Sequence, residues 1–343
     1  MTDKLDWEHW SKLSLANKMA TARLLVSRLP SGFSYVSTQS FRLAGQENDV
    51  ARYSYRGKTF VLVPGGTFSI GREPNSEWKP TQVEAERWAD VAADYELTGD
   101  LAEYVRSVTL PYRKVTIPTM LVEAEVEEAG WDVIRLPAFD PDVRKAVSDH
   151  FQAPQREQRV EAYTNRGWIR VARDRMGKVS AWRESGLTHA QISAKLRNSG
   201  FRFPTSDEWE YLCAGGAKTL FRWGEHAPME RDPNDLPATV PSPGDGPYEV
   251  ANGTFSSGWQ DHMLPNAFGI TIARNPYFME LTHESGITRG GDGGSMICSG
   301  GGYFLTWLTL ASAYFERDVC VHNPDKPISA GYTIGRRVLE IGR

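Results

Sequence analysis

Three cysteines, Cys213, Cys298 and Cys320, are the side chains of this chain best suited to soft-metal or redox chemistry. A thiolate holds Cu(I) or attacks an electrophile, but it must be paired or activated to do either. Only Cys298 lies in a stretch built for close backbone approach, Arg289-Gly290-Gly291-Asp292-Gly293-Gly294-Ser295-Met296-Ile297-Cys298, with Gly300 to Tyr303 after it. Successive glycines there can form a backbone nest for an anion, or simply permit tight turns. Neither a Walker lysine nor a strand–GxGxxG–helix context accompanies them, which disfavours nucleotide binding. Cys213 falls inside a helix-forming segment, where a buried structural thiol is expected. The seven histidines are dispersed and form no His-x-x-x-Glu-x-His pair, and no Ser-His-Asp arrangement can be read from them.

The elements that must position these groups are of two kinds. Thr205 stands as an N-cap with Glu208 three residues on, a capping box ahead of a helix bearing Trp209 and Leu212. Thr188 caps a preceding helix with Ile192 and Leu196, and helices are expected over 81–95 and 101–105. Leu15, Met19, Ala22, Val26 and Leu29 recur at four-three spacing between Ser14 and Pro30, an amphipathic helix that docks on the protein's own body rather than forming a dimer seam. Strands are expected at 59–63 and 67–71, joined as a hairpin across Pro64-Gly65-Gly66, and again at 113–117 and 120–122. Residues 72–110 and 132–186 read as long insertions, and 225–262 as a Pro/Gly/Asp/Asn-rich loop. The second insertion interleaves arginines with Tyr163, Trp168 and Trp182. Glu157, Glu161, Asp174 and Glu184 scattered through it favour a solvated, salt-bridged face over an anion-binding one.

With 31 glycines, 20 prolines and 11 tryptophans, much irregular backbone pinned by flat side chains is expected. A net charge of −4 offers no footprint for nucleic acid. The longest apolar run, 303–314, is interrupted by Thr306, Thr309 and Ser312 and falls short of the roughly 18–20 residues of a membrane span. The opening Met1-Thr2-Asp3-Lys4-Leu5-Asp6 lacks a basic, then apolar, leader, and the sparse, odd cysteine set fits a reducing compartment; a cytoplasmic protein is expected.

Six segments resemble, in order, the formylglycine-generating (sulfatase-modifying factor) family. They are Phe60 to Gly71; Leu121 to Val126, with Glu127 where a threonine would stand; Phe201 to Gly216, followed by Trp223-Gly224; Pro265-Asn266-Ala267-Phe268-Gly269-Ile270; Ser312-Ala313-Tyr314-Phe315-Glu316-Arg317; and Ile334-Gly335-Arg336-Arg337. The resemblance covers about 58–128 and 180–343. It implies an α+β, C-type-lectin-like formylglycine-generating-enzyme fold, low in regular secondary structure, with an N-terminal helical extension (1–50) ahead of a domain at 51–343 that carries the two insertions. It also implies a copper ion between two thiolates. Cys298 matches the first, but Tyr303 occupies the second position, so copper oxidase activity is not expected. The expected role is a binding or accessory domain for a protein or small-molecule ligand. The alternatives are an oxidative or thiol enzyme using Cys298 with Ser295, and a structural subunit. The ligand face would comprise Asp292, Tyr303, Asn275, Glu280 and Arg336. Asn252 and Asp261 would offer oxygens to a structural calcium ion.

Overall fold

The computed structural model describes residues 5–73, 78–135, 158–164, 167–174, 176–228, 261–272 and 276–342. Calls on the 229–260 loop, on Asn252 and Asn275, and on 136–157 of the second insertion lie outside these.

The chain opens with a short helix α1 (Trp7–Trp10) and α2 (Leu15–Leu25), whose Ser14 cap accepts from the Asn17 N–H. An antiparallel pair follows, β1 (Phe33–Leu43) and β2 (Gln46–Tyr55), then β3 (Lys58–Val63) and β4 (Gly66–Ile70). Helices α3 (Gln82–Asp94) and α4 (Leu101–Ser107) lead to β5 (Arg113–Ile117), β6 (Met120–Glu123), β7 (Glu127–Glu128) and β8 (Trp131–Ile134). Next come β9 (Gln158–Thr164), β10 (Gly167–Arg173), β11 (Val179–Glu184), α5 (His189–Asn198) and α6 (Ser206–Ala214). The C-terminal part holds β12 (Met279–Leu281), β13 (Thr288–Gly290), α7 (Ser295–Cys298), α8 (Gly302–Leu308), α9 (Arg317–Cys320), β14 (Thr333–Gly335) and β15 (Val338–Glu340).

The fold is mixed α+β. Among the described residues helix makes up 28 % and strand 33 %, more regular structure than the glycine content suggested. Much of the excess comes from segments outside the motif-bearing stretches: β1–β2, α2, α3–α4 and the β8–β11 sheet. The expected N-terminal helical extension is therefore only partly helical, and its boundary at residue 50 falls within β2.

A five-stranded sheet in the order β1-β2-β3-β6-β15 is the frame. Its pleat sends Phe60, Leu62 and Leu121 to one face, where they pack with Ala22 and Leu25 of α2. Val61, Val63, Met120 and Val122 go to the other, into the main core with Trp209, Leu212 and Trp307. Both faces are covered, which accounts for the uninterrupted apolar run Phe60 to Val63. As expected, α2 docks on the body of its own chain, though through Lys18, Ala22 and Leu25, with Leu15 left 48 % exposed.

The expected hairpin across Pro64-Gly65-Gly66 does not form. β3 pairs with β2 and β6, whereas β4 crosses out of the sheet to pair with β5 alone. The reason lies at Gly65, where a Cβ would sit 2.4 Å from the Thr119 nitrogen and 2.6 Å from the Ile117 oxygen. The glycines admit a neighbouring backbone rather than a tight turn. In the second insertion Arg170 and Arg159 pair with Glu161, as a salt-bridged face requires, but Arg170 also pairs with Glu128 outside the insertion and is buried at 8 % exposure rather than solvated. No helix among the described residues is long and apolar enough to cross a membrane.

Candidate functional site

The glycine-rich segment leaves a small sheet ordered β13-β12-β14-β7. Gly291 donates to the Phe278 carbonyl, and Asp292 donates to that of Pro276, both at 2.8 Å. A Cβ on Gly291 would lie 1.9 Å from the Pro276 oxygen, so this contact demands glycine. Asp292 then closes the turn into α7. Its two carboxylate oxygens accept from the Gly294 and Met296 N–H groups at 2.8 Å each, and its own carbonyl accepts from the Ser295 hydroxyl at 2.9 Å. Burial nevertheless pushes the Asp292 carboxyl above its ordinary value, with the two amides pulling the other way.

The predicted ligand face divides under this geometry. Glu280 and Arg336 are both wholly buried and form an ion pair with each other. The same guanidinium donates to the Glu123 carbonyl at 3.2 Å and the Thr271 carbonyl at 2.9 Å, which makes it a clamp between strands and not a surface contact. Asp292, 4 % exposed, is occupied as the cap just described. A second buried cluster lies beside it. Arg289 on β13 donates to Glu210 at 3.3 Å and to the Ser312 carbonyl at 2.8 Å, and Arg113 reaches Glu210 at 2.8 Å. Sequence reasoning missed these pairings, because no local spacing links residues 113, 210 and 289.

What remains at the surface is Ser295, Cys298 and Tyr303. Tyr303, half-buried on α8, borders a cleft of about 310 Å³ between α8 and α3, where Gly300 to Gly302 face Arg87, Val91 and Asp94. α3 is held there by the Thr81–Glu84 capping box and by Trp78 at its foot, which stacks on Phe304 at 5.9 Å.

The thiols do not assemble a copper dithiolate. Cys298 is exposed, whereas Cys213 and Cys320 lie in the main core at 0 % and 2 % exposure. Burial raises the Cys213 thiol and pushes Cys320 up to about 11. Ellman's reagent at about pH 8 should therefore titrate one thiol in the native protein and all three in denaturant. Native Cys298→Ser should show none. Reaction of two thiols in the folded protein would contradict this placement.

Asp261 sits half-buried in a single turn of 3-10 helix, its carboxyl raised by burial. Among the described residues no group of three or more His, Cys, Asp or Glu side chains could hold a metal ion, at Asp261 or elsewhere. No protein-family model matches the chain, and no curated protein matches it.

Proposed function

We propose that this chain is a divergent relative of the formylglycine-generating oxidases, with the C-type-lectin-like scaffold, that serves as a binding or accessory protein without copper oxidase chemistry. The observation that carries this reading is the isolation of Cys298. A linear Cu(I) site needs two soft sulfurs at one place. Here the residue five positions on is Tyr303, which lines a cleft, and the other thiols are packed in the core.

The motif residues support the scaffold half of the reading by what they do. Thr205 and Glu208 form the capping box of α6, and Gly215 ends that helix in the left-handed region at φ 58°. Asn266 donates to the Leu212 and Cys213 carbonyls at 2.6 and 3.2 Å, tying its turn to the same helix end. Such roles persist when chemistry is lost, because they serve packing and not catalysis. The α3–α8 cleft beside Tyr303 is the place for a ligand.

Titration with Cu(I) against a competing chelator is the test. Wild type and Cys298→Ala should give superimposable curves. A tight stoichiometric site present only in wild type would overturn the proposal and favour the second reading, a thiol-dependent enzyme, for which the exposure of Cys298 is the supporting observation.

A further inference from the structure

A second cleft, of about 270 Å³, opens between β4 and the C-terminal end of α6, and it has no part in the reading above. One wall is aromatic. Phe68 and Tyr211 stack with ring centres 4.3 Å apart, Phe268 lies 5.1 Å from Tyr211, and Trp7 stands edge-on to both phenylalanines at 6.4 Å.

The rim is cationic on one side. Arg72 is fixed by its backbone, which donates to the Leu110 carbonyl at 2.9 Å and accepts from Tyr112 at 3.0 Å. Its guanidinium lies over the Trp78 ring at 5.6 Å. Among the described residues that guanidinium forms no hydrogen bond or ion pair, and Glu225 acts on it through charge alone. Burial works against its charge, the Arg106 charge adds to the strain, and Glu225 only partly offsets them. Lys218, which lines the same cleft, spends one hydrogen bond on the Ser69 carbonyl at 3.2 Å.

The acids of the cleft are differently placed. Glu210 is committed to Arg113 and Arg289, and Glu225 accepts from the Leu220 N–H at 3.1 Å. Glu73 stands exposed at the rim. These carboxylates oppose a second negative charge, so a dianion is disfavoured while a single carboxylate can reach the open fork of Arg72.

We propose that this cleft binds a small monocarboxylate carried on a flat aromatic body, with the carboxylate on Arg72 and Lys218 and the ring against Phe68, Tyr211, Phe268 and Trp7. A guanidinium that makes no hydrogen bond among the described residues, beside an apolar wall, is complementary to such a ligand. The volume lies just below the roughly 300–1,000 Å³ of drug-sized sites, which limits the body to one or two rings.

Isothermal titration of the full chain with benzoate, phenylacetate and indole-3-acetate tests this, with benzylamine and inorganic phosphate as opposing probes. At least one aryl carboxylate should bind saturably at one per chain. Arg72→Gln should weaken it by about tenfold or more, the range of a lost charge-assisted contact. Lys218→Gln, a surface change that leaves the fold intact, should weaken it less, and Arg28→Gln, exposed and away from both clefts, should leave it unchanged. The proposal fails if no aryl carboxylate saturates, if benzylamine or phosphate binds as well, or if both Arg72→Gln and Lys218→Gln bind like wild type.

Discussion

Arg336→Ala lowers the free energy of unfolding by about 3–5 kcal/mol, the cost of leaving a buried charge without its partner. The guanidinium and the Glu280 carboxylate are both fully enclosed, so truncating Arg336 leaves Glu280 buried without its ion-pair partner, with the buried Arg222 charge acting on it only from a distance. The carbonyls of Glu123 and Thr271 lose their donor in the same step. A denaturant midpoint that moves at constant slope measures the effect. Replacing both partners with apolar residues, Glu280→Leu with Arg336→Met, should recover part of the loss, because the burial cost of the charges disappears with them. Recovery stays incomplete, since the two carbonyls remain unmet. The internal comparison is Arg42→Ala. Arg42 and Glu47 are 71 % and 48 % exposed, and solvent screening should leave their pair with little effect on stability. If the two arginine variants lose similar stability, the buried pair is not a structural clamp and the ligand-face reading of Glu280 and Arg336 revives.

Trp307→Ala should cost a similar amount, about 3–5 kcal/mol, for a different reason. The ring is fully buried on α8, edge-on to His262 at 4.9 Å and to Trp223 at 6.2 Å, so its removal opens a void lined by rigid neighbours. Trp307→Phe keeps most of the contact area and should cost well under half as much. Because Tyr303 rides on the same helix, the alanine variant should also blunt near-UV circular dichroism from the aromatic cluster around the α3–α8 cleft. A loss below about 1 kcal/mol would mean that the site collapses around the void, contrary to the packing described.

The local signals in the chain were read well where one short segment decides the outcome. The Thr188 cap, the Thr205 capping box, the helices expected over 81–95 and 101–105, and the strands expected at 113–117 and 120–122 all form, each within a residue or two of its expected bounds. The β1–β2 hairpin passed unread although it carried a signal. Aromatic and β-branched residues recur from Phe33 to Phe41, and Ala44-Gly45 takes positive φ at both positions, the primed-turn geometry that joins two twisted strands. Pro64-Gly65-Gly66 suggests a hairpin because a turn and a close backbone approach call for the same residues, and only the approach of residues 117–119 distinguishes them. The site fared worst. Whether Glu280 faces solvent or Arg336 depends on a register 56 residues apart. Likewise, nothing near Arg72 announces that Lys218 will line the same cleft. Tertiary proximity of that kind leaves no periodic trace in one chain.

The frame sheet has a temporal consequence. β6 is laid down early, yet its outer partner β15 pairs Val338 with Val122, so that edge stays open through the synthesis of everything between them. An unpaired strand of Met, Leu and Val is a template for unwanted association. Slow elongation or a nascent-chain holdase should therefore matter more to yield than the modest charge would suggest, and an overexpressed chain truncated before residue 338 should accumulate in inclusion bodies even with every other element intact.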